Sequence, residues 1–341
     1  MSAISDAEYA ILAAAAYRDV DDDTSFPEDV NLPSGWTEVK SEVDGSDTDG
    51  LHYKVFTKGN ELVISFRGTD DWWSDGEDNI AGIEGRPSDQ VYLAFKAALD
   101  ILRAVSDPEN ELFFGKNVSF TGHSLGGGLA SLMAVWFGKE AKTFEALPFE
   151  NSVSKFDYYM TRYLREPENI DFLQKLNNEG LAAVLSGPLE GLRGFYEKVL
   201  SGEALTQTFL DREKSVYHIF LRGEAAQFVR REHSLLDFLP PDSPRIAFLV
   251  PQPTIQSGMG QMIDLGASVN PKSMHSMSFL AMLLNSEELK SAIRANPRAL
   301  SMLFDSDKHV SPSDDAFFAK LLNLHSANRI PARSILDKFA D

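Results

Sequence analysis

Residues 117–138, NVSFTGHSLGGGLASLMAVWFG, run from a short β-type segment through Gly122-His123-Ser124-Leu125-Gly126 into a long Ala- and Leu-rich segment. That order predicts a strand, a sharp turn and a helix with one serine at the apex. No other stretch of the chain constrains its fold as tightly. A serine on such a turn is held in a strained backbone conformation, so the positions two residues to either side must be glycine to clear the neighbouring strand and helix. Gly122 and Gly126 meet that need. The turn lifts the Ser124 Oγ above the sheet edge and aims the first N–H groups of the helix, that of Leu125 among them, at the same point. A nucleophile and one oxyanion donor come together. The plainer alternative is a serine that caps a helix start with its hydroxyl.

With 341 residues, 43% of them apolar and 23 of them Phe, the chain has material for one elaborated α/β domain. No run of the roughly eighteen apolar residues that would span a bilayer occurs. A formal charge of −19 speaks against a nucleic-acid partner, since phosphate binding needs clustered Lys and Arg, and against electrostatic attraction to anionic membranes. The acidity is concentrated in residues 1–50, which hold thirteen Asp and Glu against Arg18 and Lys40. Zero cysteines exclude disulfides, thiolate metal sites and a cysteine nucleophile. The N-terminal stretch carries Asp6 and Glu8 where a secretory signal has positive charge, which leaves the cytoplasm, a leaderless export route or a leader already removed.

Along the chain, Ser5 and Glu8 form a capping-box pattern that predicts a first helix over about 5–17. β-type runs follow at 36–43, 51–58 and 61–67, the last pair joined by Gly59-Asn60 as in a hairpin meander. The acidic stretch 44–50 lacks the spacing of a calcium loop and reads as a solvated turn. A helix over 88–105 precedes the serine strand as a crossover, and 141–149 and 216–223 read as the next strands. Between those two, residues 155–210 form a helical insertion, equally a cap over an active site or a packing layer, and 285–341 is a helical tail without identifiable chemistry.

A serine hydroxyl is nearly inert unless an imidazole takes its proton and a carboxylate orients that imidazole. In α/β-hydrolase arrangements the chain order is Ser, acid, His, each at or just past the C-terminal end of a strand. Of the histidines after Ser124, His275 lies in a turn-rich stretch before a strongly apolar helix, whereas His218 is inside a strand, His233 in a charged loop, and His309 and His325 in the tail. His275 is the expected base. Glu224, directly after the 216–223 run, is the expected acid, with Asp237 second and Asp211 third. A second oxyanion donor should come from a loop after an earlier strand, and Thr69, after the run ending in Phe66-Arg67-Gly68, offers an N–H and a hydroxyl together. Trp72 and Trp73, just beyond, suit a lid or an acyl-contact surface, or else the core.

The motifs F-R-G-T at 66–69, D-W at 71–72, G-H-S-L-G-G at 122–127 and M-H-S-M around His275 together resemble the class 3 lipase family over roughly residues 50–285. The resemblance implies an α/β-hydrolase fold, a mostly parallel sheet flanked by helices, a Ser-acid-His triad, a lid and hydrolysis of carboxylic esters, often of acylglycerols or phospholipids. By motif position Ser124 is the nucleophile, His275 the base and Thr69 the oxyanion residue. The chain departs from the family in offering Glu224 where Asp is usual, and in reading Tyr92-Leu93-Ala94-Phe95 where H-x-G-F is frequent. The long insertion resembles bacterial rather than compact fungal members. The expected activity is that of a lipase or esterase needing no metal or organic cofactor, with lipid esters as substrate. A phospholipase A1-type effector is the alternative within the same site, and a hydrolase-fold binding protein with a vestigial site is the alternative of another class.

Overall fold

Alternation along the third strand divides the molecule: Leu62, Ile64 and Phe66 face one hydrophobic core while Val63 faces another. A strand buried on both faces needs a helical layer on each side, and the computed structural model has both. It describes residues 4–17, 30–39, 51–68, 85–148, 150–203, 205–221, 260–263 and 275–295. Among them runs a seven-stranded sheet in sequence order: β1 (Thr37–Glu38), β2 (Tyr53–Lys58), β3 (Glu61–Phe66), β4 (Asn117–His123), β5 (Glu140–Phe144), β6 (Val216–Leu221) and β7 (Gly260–Ile263). The β1–β2 and β2–β3 pairs are antiparallel, and every pair from β3 to β7 is parallel. This mixed, mostly parallel α/β arrangement is compatible with an α/β hydrolase.

One face carries helix α1 (Asp6–Ala15). Its capping box is formed as expected, the Ser5 hydroxyl accepting from the Glu8 N–H and the Glu8 carboxylate accepting from the Ser5 N–H. The run of alanines lets the helix lie close on the strands, where its Leu12 carbonyl accepts from the Ser65 hydroxyl at 3.1 Å and Tyr9 Oη donates to Ser119 Oγ at 2.8 Å. The other face carries α2 (Asp89–Ser106) and α3 (Leu125–Phe137), whose apolar sides fill the first core.

The insertion adds α4 (Phe156–Arg165), α5 (Ile170–Glu179), α6 (Glu190–Ser201) and α7 (Leu205–Glu213) outside α2 and α3. In its described contacts it is a packing layer. Tyr163 Oη donates to Asp100 Oδ1 at 2.5 Å and accepts from Arg103 at 2.6 Å, latching α4 along α2. The Arg212 guanidinium donates to the carbonyls of Val135 and Trp136 at 2.8 and 3.0 Å, and to that of Gly191 at 2.7 Å. It satisfies the last turn of α3 at the end away from Ser124. After β7, α8 (Met277–Leu284) packs against α1 in the second core, joined by α9 (Glu287–Ala295).

The sequence expectations differ from this arrangement at three places. Of the run 36–43, Thr37–Glu38 pairs as β1, while residues 40–43 lie outside the described residues. The run 141–149 was expected to be strand throughout, yet β5 stops at Phe144 because Glu145 turns to φ +49°, which no strand accommodates. Strand β7 was not foreseen, since GQMI carries neither alternation nor β-branched residues beyond one Ile.

Candidate active site

The C-terminal ends of the parallel strands collect at one edge of the sheet, where α/β folds place their chemistry. β4 ends there in His123 and continues into Ser124, whose backbone stands at φ +56°, ψ −123°. Ser124 makes no side-chain hydrogen bond to the helix it precedes, so its hydroxyl does not cap α3. The plainer reading of this serine is thereby disfavoured. The glycine requirement is visible in distances: a Cβ on Gly122 would lie 2.4 Å from the Gly126 carbonyl oxygen, and one on Gly126 would lie 2.1 Å from that of Phe66. The turn is held by the Ser124 N–H donating to the Phe144 carbonyl at 3.0 Å and by the Leu147 N–H donating to the Ser124 carbonyl at 2.9 Å. These two bonds tie the serine to the segment that carries Glu145.

Glu145 is the first residue past β5 and is fully buried. Its Oε2 lies 3.1 Å from His275 Nδ1 and 3.3 Å from His123 Nε2. The two imidazoles approach to 4.6 Å between ring centroids. Burial alone would push the Glu145 carboxyl up, but the hydrogen bonds from His123 and His275 and the field of the two rings outweigh it and hold the group below its ordinary range. A carboxylate so held is ionised, and both ring nitrogens facing it are donors. His275 stands just before α8, so the helix that fills the second core also fixes the imidazole over the sheet edge.

From β3, Arg67 and Gly68 continue to the same edge. A Cβ on Gly68 would lie 2.7 Å from the His123 carbonyl oxygen and 3.1 Å from Ser124 Cβ, so the loop that leads to Thr69 leaves the sheet beside the serine. The Leu125 N–H is the first amide of α3, at the positive end of that helix.

Of the residues expected from the sequence, Ser124, Leu125 and His275 lie among the described residues, at this edge. Thr69, Trp72, Trp73, Glu224 and Asp237 lie outside them. Asp211, the third acid, sits in α7 with its carboxylate bonded to Lys214 at 2.8 Å. His218 is in β6 with Nδ1 2.7 Å from Thr143 Oγ1, as a strand residue should be. Sequence reasoning missed Glu145 and His123. A signal for Glu145 is present, because it is an acid between Ser124 and His275 at the end of a strand, but the run 141–149 reads as strand across it. His123, Glu145 and His275 also bring three potential metal donors together, and their N···O distances of 3.1 and 3.3 Å are those of hydrogen bonds.

A turn serine that caps nothing, at the same sheet edge as a histidine bound to a buried carboxylate, has the form of a hydrolase site. Comparison with known proteins agrees at that level. Residues 8–155 match the family model of the Tle-like phospholipase domain, described as phospholipase-like. Over 120 residues the chain is 28% identical to the "Extracellular phospholipase A1" of Serratia liquefaciens, an alignment covering 35% of this chain and 32% of that protein. The chain thus spans 32% of the length of that curated relative. Both findings support a phospholipase-like class, that of lipid ester hydrolases. The family match contains Ser124 and Glu145 and ends before Glu224, Asp237 and His275. Among the described residues, no helix is long and apolar enough to cross a membrane.

Proposed function

We propose that the protein hydrolyses carboxylic esters of glycerolipids through a serine acyl-enzyme, on an α/β-hydrolase fold of the class 3 lipase type. His275 Nε2 takes the Ser124 proton as Oγ attacks the acyl carbonyl, and Glu145 orients the ring and offsets its charge through Nδ1–H. The Leu125 N–H and Thr69 hold the oxyanion. Collapse of the tetrahedral adduct breaks the ester bond, and the alcohol leaves with the proton from His275. Water then attacks the acyl-enzyme by the same route and releases the acid. Trp72 and Trp73, following Thr69, would line the acyl path. The observation that carries this reading is the bond from His275 to a buried carboxylate whose segment is itself bonded to the Ser124 backbone.

The test is hydrolysis of p-nitrophenyl esters by the wild type and Ser124→Ala. We expect kcat to fall by at least about 10⁴-fold. Undiminished turnover, or failure of a fluorophosphonate to label Ser124 in the wild type, would favour a vestigial site in a binding protein instead. The names of the matched family and relative favour phospholipid as the ester, in the manner of a phospholipase A1. Fatty-acid release from phosphatidylcholine vesicles against triacylglycerol emulsions separates the two substrates.

A further inference from the structure

Beyond the serine and the base, Gly68, Tyr17, His123 and Glu145 form a continuous buried relay. The Gly68 N–H donates to Tyr17 Oη at 3.1 Å, and Tyr17 Oη lies 2.7 Å from His123 Nδ1. His123 Nε2 then faces Glu145 Oε2 at 3.3 Å, the oxygen that also receives His275. The donors can be assigned in order. Because Glu145 is ionised, His123 Nε2 carries a proton, and in the neutral ring Nδ1 is left with its lone pair. Tyr17 accepts from Gly68 and so has its own O–H to give to that lone pair. Every bond then points the same way, and each strengthens the next. Tyr17, His123 and Glu145 are all buried, so water does not compete for these bonds.

We propose that Tyr17 and His123 are positioning residues of the catalytic site, joining the oxyanion loop at Gly68 to the Glu145 carboxylate through hydrogen bonds. The inference rests on Glu145 being the acid that orients His275. It gives the N-terminal segment a part in catalysis, since Tyr17 stands just past α1. One task follows from the geometry: the relay fixes the distance between the amide edge that meets the oxyanion and the carboxylate that meets the base, which must both be right at once.

The experiment measures kcat, KM and melting temperature of the full chain on a p-nitrophenyl ester, for Tyr17→Phe, His123→Gln, His123→Phe, the double variant Tyr17→Phe/His123→Phe, and Glu145→Gln. Tyr17→Phe keeps the ring and deletes the hydroxyl. We expect kcat to fall about 10- to 100-fold at unchanged KM. His123→Gln keeps an amide N–H within reach of Glu145 and should retain more kcat than His123→Phe. In the double variant, the tyrosine change should add nothing to the loss from His123→Phe, because it acts through that ring. The proposal is overturned if Tyr17→Phe lowers the melting temperature while leaving kcat intact, or if the two losses multiply in the double variant. Should His123→Phe fail to fold, the division of the Tyr17→Phe effect between kcat and KM still decides. Full activity in Glu145→Gln would sink the acid assignment beneath it, whereas a crippled Glu145→Gln beside an indifferent Tyr17→Phe would sink the relay alone.

Discussion

Ser124 and Glu145 are the non-glycine residues with positive φ among those described, at +56° and +49°, and both are at the candidate site. Such conformations cost on the order of 1–3 kcal/mol each and persist where surrounding bonds fix them. Here the bonds are shared: the Ser124 N–H reaches the residue before Glu145, and the Glu145 N–H donates to the Ile219 carbonyl on β6 at 2.9 Å. Replacing the acid without changing its shape separates the two carboxylates in question. For Glu145→Gln we expect kcat to fall by about 10⁴-fold, the scale seen when a triad loses its orienting carboxylate. Glu224→Gln should stay near wild type. The opposite pattern in the same esterase assay would move the role to Glu224. The turn at Ser124 and the helix start after His275 were legible because strand, turn and helix grammar and an apolar helix start are written locally. Glu145 was not, because alternation of apolar residues reports which way side chains point and is silent on where φ changes sign. His123 was hidden by the assumption that every partner follows the serine.

At the scale of elements, α1 shows how a local signal acquires distant partners. Its capping box was readable from Ser5 and Glu8 alone, but the same Glu8 carboxylate also accepts from Trp36 Nε1 at 3.0 Å and Lys58 Nζ at 2.6 Å. Burial raises the Glu8 carboxyl, and the bonds from Lys58, Ser5 and Trp36 outweigh that and bring it down from 4.5 to about 2. A group depressed in the folded state stabilises above its unfolded pKa, and that contribution is lost as pH falls through the folded one. Glu8→Gln should cost about 1 kcal/mol at neutral pH, the usual scale for a lost helix cap. In urea titrations it should also flatten the decline of stability between pH 4.5 and about 2. An unchanged slope there would place the acid sensitivity elsewhere. The insertion teaches the converse lesson. Helical periodicity in 155–210 was plain, while its seat beside α2 and α3 depends on Tyr163, Asp100 and Arg212, whose pairings cross more than sixty residues of chain.

For the whole molecule, a charge of −19 sets how it meets a lipid surface. Repulsion from an anionic bilayer is screened as salt shortens the Debye length from about 30 Å at 0.01 M to about 10 Å at 0.1 M. Hydrolysis of anionic phospholipid vesicles should therefore rise across that range, while hydrolysis of zwitterionic vesicles should not. Equal salt responses would mean that the face meeting the bilayer does not share the overall charge.

The position of α1 has a consequence for the order in which the protein is built. Strands β3 to β6 each pair with the strand made just before, so the sheet can grow as the chain emerges from a ribosome. The second core behaves otherwise, because α1, made first, packs on α8, which follows by some 260 residues of synthesis. His275 arrives with that same helix. Ser124 and Glu145 are therefore made some 130 residues or more before His275, and the proposed triad is complete only when the second core closes around α8.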